Sequence, residues 1–289
     1  MDSRTQDFQS QSAAGVDKMQ VTVWGTRGSI PVSGPHFSRH GGNTTCVELR
    51  CGDEVLIFDC GTGIIPAGAR LKAERVSNLN LFLTHSHYDH IIGFPFFGPF
   101  HCSGVRAAIW SGHLEGKMTT RQIVEGLLRP PYFPVGLEIM KAALTFRDFL
   151  PGDILTPASG IVMRTAKLTH PGGAVGYRIE WQGKVFALIT DTEHVPGVLD
   201  QNVLSLIDHA DLFLYDSTFG DDDMTHMRGI GHSSWQQAIR LAKAANAASV
   251  GFIHHAYTHT DDDIDDICVQ AQRIFPAAHV FSDGQSMEI

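Results

Sequence analysis

One stretch constrains this chain more than any other: Leu79-Asn-Leu-Phe-Leu-Thr-His85-Ser-His87-Tyr-Asp89-His90. The segment 79–84 is short, apolar and β-compatible, the pattern of a buried strand. Three histidines and an aspartate follow within six residues. Imidazole and carboxylate are side chains that hold zinc, manganese or iron at neutral pH. A helix could not aim all four at one point. A loop leaving a strand end can turn His85 and His87 to one ion and Asp89 and His90 to a second. A histidine-rich surface turn is the alternative.

Composition narrows the class. A chain of 289 residues suffices for one large domain or two small ones, and 43% hydrophobic residues can build a real core. Lys+Arg 22 against Asp+Glu 31 gives a net charge of -9, which argues against a broadly basic nucleic-acid surface. No apolar run reaches the length of a membrane span. Residues 1–18 are polar and lack the apolar core of a signal peptide. They read as a disordered tail, with one domain over 19–289. Five scattered cysteines, Cys46, Cys51, Cys60, Cys102 and Cys268, form no Cys-x-x-Cys pair. They fit reduced thiols in a cytoplasmic protein.

Along the chain, strands are expected over 20–24, 105–111, 142–146, 161–168, 176–181, 185–190, 212–215 and 249–253. A hairpin is expected from 45–50 and 54–58 around Cys51-Gly52-Asp53. Helical spacing covers 64–75, 119–128, 198–209, 233–246 and 261–275, the last capped by Thr260. Another helix is expected to begin within the apolar run 91–99. The prolines of Arg129-Pro-Pro-Tyr-Phe-Pro134 exclude regular structure there. The acidic segment 221–226 reads as a solvated loop. This order points to the α/β class, with two mixed sheets face to face and helices outside.

Three further candidates stand at strand ends, where layered α/β domains place their sites. They are His170 in Leu168-Thr-His170-Pro-Gly-Gly, Asp191 in Leu188-Ile-Thr-Asp191, and His254 in Gly251-Phe-Ile-His254. With these residues and the histidine loop, the chain resembles the metallo-β-lactamase superfamily over nearly everything after Met19. The resemblance implies an αβ/βα sandwich of two mixed β-sheets with outer helices. It also implies two divalent metal ions per chain at one edge of the sheets, zinc, or else manganese or iron. By this resemblance His85, His87 and His170 hold one ion and Asp89, His90 and His254 hold the other, with Asp191 bridging both. Asp59, in Phe58-Asp-Cys-Gly-Thr-Gly63, matches the superfamily's first motif and is expected to orient the ligand loop. Strand alternation sends His254 and His255 to opposite sides. The family pattern puts the ligand directly after the apolar strand, which selects His254.

Within the superfamily the resemblance is to the phosphodiesterase branch, which includes ribonuclease Z and the cyclic-nucleotide phosphodiesterases. Gly25-Thr-Arg-Gly-Ser-Ile-Pro31 and Gly231-His232-Ser233-Ser234 carry it. In ribonuclease Z the acidic residue of a His-Glu-Ala-Thr motif pairs with the histidine of the Gly-His-Ser element. Here Tyr215-Asp216-Ser217-Thr218-Phe219 stands in that place, with Asp for Glu. The implied catalytic set is His232, Asp216 and Asp89, with His232 protonating a departing alkoxide. A helix-cap neighbour without chemistry is the alternative for His232.

The substrate expected from sequence is a small phosphodiester, first a 3′,5′-cyclic nucleotide, rather than extended nucleic acid. Ribonuclease Z grips tRNA with a protruding Gly/Pro-rich basic arm, and none is found here. Lys117, Arg121, Arg129, Lys141 and Arg147 are spread among apolar residues instead of clustered. Tyr132 and Phe133, fixed by prolines, would offer stacking surfaces to a base, with His255 as a further pocket residue. An esterase or lactonase with the same metals, a ribonuclease Z-like nuclease, and an inactive metal-binding regulator are competing readings. A homodimer is expected by analogy with ribonuclease Z, and no membrane partner.

Overall fold

The computed structural model describes residues 18–289. The expected tail therefore lies outside the described residues, except for Lys18, which ion-pairs with Glu288 at 2.7 Å. The first strands are β1 (Met19–Gly25), β2 (Cys46–Cys51), β3 (Glu54–Phe58), β4 (Asn78–Leu83), β5 (Arg106–Ser111) and β6 (Ala143–Asp148). They are followed by β7 (Ile154–Leu155), β8 (Val162–Leu168), β9 (Ala174–Trp181), β10 (Lys184–Ile189), β11 (Leu212–Asp216), β12 (Val250–Ile253), β13 (Ala278–Val280) and β14 (Gln285–Glu288). They form two seven-stranded sheets, ordered β14-β1-β2-β3-β4-β5-β6 and β13-β12-β11-β10-β9-β8-β7.

Both sheets are mixed, and they repeat one plan. An antiparallel meander, β1-β2-β3 or β8-β9-β10, runs into parallel strands, β3-β4-β5-β6 or β10-β11-β12-β13. Phe58, Phe82, Tyr177, Phe186 and Leu214 pack between the sheets as the central core. Each such side chain, removed from water, contributes about 1.5–3 kcal/mol. The helices α1 (Ile64–Ala73), α2 (Tyr88–Ile91) and α3 (Thr120–Leu127) follow strands of the first sheet, and α4 (Gln201–Ile207), α5 (Trp235–Ala244) and α6 (Asp261–Ile274) follow strands of the second. Ile64, Ala67 and Leu71 of α1 pack with Ile57 and Leu81 on the outer face of the first sheet. Ala238, Leu241 and Ala242 of α5 and Ile267 and Ala271 of α6 pack with Phe213 and Phe252 on the outer face of the second. The result is the expected αβ/βα sandwich.

Local chemistry explains the elements that agree. Thr119 closes a capping box with Gln122 on α3, and Thr260 does the same with Asp263 on α6, satisfying otherwise orphaned N–H groups. The helix expected within 91–99 is absent. Gly93, Pro95, Gly98 and Pro99 break that run into two short 3₁₀ turns, Phe94–Phe96 and Gly98–His101. The acidic segment 221–226 is not merely solvated: Asp221 accepts from the Ser234 hydroxyl at 2.5 Å and pairs with Arg240 at 2.7 and 2.9 Å, fastening the start of α5. None of the five cysteines is in a disulfide.

Candidate metal centre

The site lies where parallel strands of both sheets end, the usual crevice of α/β layers. Asp59 follows β3, Asp191 follows β10 and His254 follows β12. All three have left-handed backbone, with φ of 60°, 54° and 60°. That conformation is costly for non-glycine residues and persists where surrounding structure enforces it. It turns Asp191 and His254 out of their strands toward one another, and Asp59 toward the outer nitrogen of His90. His254 thus reaches the cluster.

The histidines are held by their outer nitrogens. The His90 Nδ1–H donates to Asp59 Oδ2 at 2.8 Å. Asp59 also accepts from the Thr84 N–H and hydroxyl, both at 2.7 Å. Since the Thr84 hydroxyl donates to Asp59, it accepts from His85 Nδ1 at 3.1 Å. By the same logic the Thr218 hydroxyl donates to Asp216 at 2.6 Å and accepts from His254 Nδ1 at 3.0 Å. The His170 Nδ1–H donates to the Gly231 carbonyl at 2.8 Å. Four Nε2 atoms are therefore left as lone pairs pointing inward.

Those lone pairs crowd one another. His90 Nε2 is 3.3 Å from His254 Nε2, and His170 Nε2 is 3.0 Å from His87 Nδ1. Asp191 sits among them, 3.1 Å from His90, 3.3 Å from His254, and 3.7 Å from both His85 and His170. Asp89 lies 3.3 Å from His90 and 3.2 Å from His254, and also accepts the Ser29 N–H at 2.7 Å. His85 Nε2 is buried without a hydrogen-bond partner. Ligand atoms of His85, His87 and His170 lie within 4.8 Å of one another, as do those of Asp89, His90 and His254. Facing lone pairs, an orphaned buried nitrogen and intervening carboxylates fit divalent cations.

Electrostatics agrees. Burial acts to lower the His90 imidazole, yet the Asp191, Asp89 and Asp59 carboxylates carry it well above its ordinary value. Burial would raise Asp191, but His254, His90 and His85 hold it well below the usual carboxylate range. His85 is pushed well down, first by burial and then by His90. The centre thus demands positive charge while one of its own histidines resists protonation. Binding of divalent metal answers both requirements.

His232 belongs to the same cavity without duplicating a ligand. Its Nδ1–H donates to Asp216 Oδ2 at 2.9 Å, which takes that nitrogen out of use as a donor to metal. Asp216 is itself fixed by the Thr218 N–H at 3.0 Å and the Thr192 N–H at 3.3 Å. The His232 side chain is 12% exposed. Burial opposes its charge, but Asp216, then Asp191 and Asp89, raise it to about 9.

Two glycines are dictated by this packing. A Cβ at Gly28 would drive into the His254 ring, and one at Gly231 into the His170 ring. This gives the motifs around Arg27 and His232 a structural reason.

The residues read from sequence as ligands, His85, His87, Asp89, His90, His170, Asp191 and His254, are brought together, with Asp59, Asp216 and His232 around them. Three pocket residues are not. The cavity in front of the cluster is lined by Ser29, Ser86, His87, Tyr88, Asp89, Asp191 and His232. Phe133 instead packs edge-on against Phe96, with ring centroids 5.9 Å apart, and Tyr132 is 74% exposed and outside that lining. His255 is fully buried behind the cluster, where its backbone pairs with the 26–28 segment. Sequence reasoning missed Ser29, Thr84 and Thr218, the groups that fix the ligands. The motif containing Ser29 was visible; the threonines looked like ordinary strand residues.

Comparison with known proteins agrees with this geometry. The family model described as Beta-lactamase superfamily domain matches residues 55–255. Ribonuclease Z of Oceanobacillus iheyensis is 25% identical over 320 residues, covering 94% of this chain and 100% of the relative. Ribonuclease BN of Proteus mirabilis is 24% identical over 331 residues, with 94% and 100% covered. Among solved structures, the metallo-β-lactamase fold protein YhfI from Bacillus subtilis superposes with a TM-score of 0.69 at 20% identity, covering 94% of this chain and 100% of that one. The short form of human tRNase Z gives 0.64 at 21% identity, with 93% and 98% covered. The chain belongs to the metallo-β-lactamase superfamily and within it resembles the ribonuclease Z-like branch.

Proposed function

We propose that this protein, over residues 19–289, is a dinuclear metal-dependent phosphodiesterase that cleaves RNA. His85, His87 and His170 would hold one divalent ion, Asp89, His90 and His254 the other, and Asp191 both. Zinc suits this nitrogen-rich set, and manganese or iron can also be held by it. Ions bound there supply Lewis acidity and a water activated near neutral pH.

The observation that carries the reading is the Asp216–His232 pair, 2.9 Å apart, with His232 on the wall of the cavity that Asp89 and Asp191 share and Asp216 buried behind it. Asp216 engages Nδ1, so the transferable proton of His232 is on Nε2. The Asp216 carboxylate favours the charged imidazole and so favours that proton at neutral pH. A sugar alkoxide is a poor leaving group and needs such an acid. A lactone or carboxylic ester has less need of one, which disfavours the esterase reading. Asp59 holds His90, Thr84 holds His85, and the Ser29 N–H holds Asp89, so the reacting groups are preorganised.

The relatives named ribonuclease Z and ribonuclease BN favour RNA over the cyclic nucleotide expected from sequence. The small phosphodiester remains the second reading because of two observations. Net charge is -9, and the alignment to the first relative spans 320 residues against 289 in this chain, so that relative carries segments for which this chain has none.

The test is hydrolysis by metal-loaded protein of an RNA with a 3′ extension, cyclic AMP, a bis-aryl phosphodiester and a lactone at matched salt. RNA cleavage with cyclic AMP spared is expected. Lactone hydrolysis with both RNA and the bis-aryl diester untouched would overturn the reading.

A further inference from the structure

A second cavity adjoins the metal cavity and shares Ser86 and Tyr88 with it. The first has a volume of about 480 Å³ and the second about 570 Å³. Each is large enough for a nucleotide-sized group. Besides the shared wall, its lining includes Lys117, Gln122, Ile123, Glu125 and Arg129. We propose that this groove is a subsite for the nucleotide next to the scissile phosphate, binding a single-stranded chain through one further phosphate and a stacked base. The proposal rests on the phosphodiesterase reading and deepens it.

Charge supports it. Lys117 and Arg129 have no carboxylate partner among the described residues, and Glu125, the carboxylate in the lining, is already paired with Arg121 at 2.7 Å. Two free cations thus face one groove of a chain whose net charge is -9. Phosphate binding is where unpaired Lys and Arg gain most. Gln122 adds a donor. Its Oε1 is occupied by the Thr119 N–H at 2.9 Å, which leaves the amide NH₂ unengaged.

Shape supports it too. Tyr88 is 71% exposed although it stands between His87 and Asp89. An exposed ring beside a phosphate site is a stacking platform that tolerates any base. The walls are built and not loose. His113, buried, bonds the Ser86 hydroxyl through Nε2 at 3.0 Å and the Ser111 hydroxyl through Nδ1 at 3.0 Å. Asp148 takes the Thr120 N–H at 2.6 Å and its hydroxyl at 2.7 Å, which pins the start of α3.

Direction follows from the linings. His232 lines the metal cavity and not the groove. With His232 serving the leaving group, the groove takes the ester group that stays on phosphorus. A cyclic mononucleotide has no second phosphate to offer Lys117 and Arg129, so the groove also separates the two substrate readings.

The experiment is steady-state kinetics of the metal-loaded protein on a short ribo-oligonucleotide and on bis(p-nitrophenyl) phosphate. Wild type is compared with the Lys117→Ala/Arg129→Ala double variant, Tyr88→Ala and Tyr88→Phe. The double variant should raise KM for the oligonucleotide at least about tenfold, with kcat nearly kept. Its salt dependence, as the slope of log kcat/KM against log salt, should fall by about 0.7 for each phosphate that the protein ceases to neutralise. Tyr88→Ala should raise the same KM roughly 5- to 100-fold, and Tyr88→Phe should restore it. The ratio of oligonucleotide to aryl-diester kcat/KM should fall in both impaired variants. An oligonucleotide KM and salt slope equal to wild type in the double variant, with the aryl diester still hydrolysed, would overturn the groove and leave the phosphodiesterase reading standing. A wild-type protein that hydrolyses neither substrate would overturn both.

Discussion

Asp216 holds His232 from behind: its Oδ2 accepts the Nδ1–H at 2.9 Å while its Oδ1 takes the Thr218 hydroxyl at 2.6 Å. That same hydroxyl accepts from His254 Nδ1 at 3.0 Å. One carboxylate therefore sets both His232, the proposed acid, and, through one threonine, His254. His232→Ala should keep metal and fold yet lose about 10²–10⁴ in turnover when the leaving group is a sugar alkoxide. With a nitrophenol leaving group the loss should be far smaller. Equal losses on the two substrates would make His232 a structural or binding residue.

The pH profile follows from the same pair. The charged form of His232 is complete below its raised value of about 9 and is lost as pH rises through it. Turnover of an alkoxide-leaving substrate should therefore decline on the alkaline side, as that charge is lost. The decline should vanish in His232→Ala, and be weak with a nitrophenol diester. A wild-type alkaline limb identical to that of the variant would sink the assignment.

Metal content tests the lone-pair argument. Two divalent ions per chain are expected by elemental analysis of reconstituted protein. Asp191→Ala should lose both, because Asp191 lies within 3.7 Å of histidines from each triad. Chelation should lower Tm, since ions that bind only the folded state stabilise it by mass action. One ion, or none, after reconstitution would remove the dinuclear reading.

Asp59 serves the centre without facing the cavity. Asp59→Ala strands the His90 Nδ1–H and both Thr84 donors, each buried. Each stranded donor costs about 1–3 kcal/mol. Metal affinity should also fall roughly 10- to 100-fold, as when other outer partners of ligand histidines are removed. Calorimetry and metal titration would read the two effects separately, and an unchanged affinity would show that His90 needs no such support.

Gly28 provides a steric check. Gly28→Ala adds only a methyl, but that methyl meets the His254 ring. Metal binding should weaken while the α/β circular dichroism is retained. Wild-type affinity would mean that the loop yields and that the glycine is not required by the ligand.

The candidate ligands could be read from the chain because each is announced locally. Four lie within six residues after an apolar strand, two of them on the short helix α2, where a loop was expected, and the others follow apolar runs. The two-sheet architecture was likewise visible in the alternation of strands and capped helices. What could not be read depends on packing between distant segments. Nothing local says that Phe133 packs on Phe96 while Tyr88, between two candidate ligands, turns outward. Thr84 and Thr218 act only because Asp59 and Asp216 face them across turns. The short strands β7, β13 and β14, of two to four residues, carry too little periodicity to detect.

The pairing of β14 with β1 has a consequence for how the protein is made. Thr22 bonds Ser286 across 264 residues of chain, and Asp283 accepts the N–H groups of Thr26 and Asn43 in the loops beside the site. During synthesis β1 precedes β14 by more than 260 residues, so its outer edge has no mate until translation has passed Glu288. An unpaired edge held open that long is exposed to other nascent chains. Contacts so distant in sequence also slow folding. The birth of this enzyme should therefore depend on protection of β1 during elongation, and its first sheet should close only when β14 arrives.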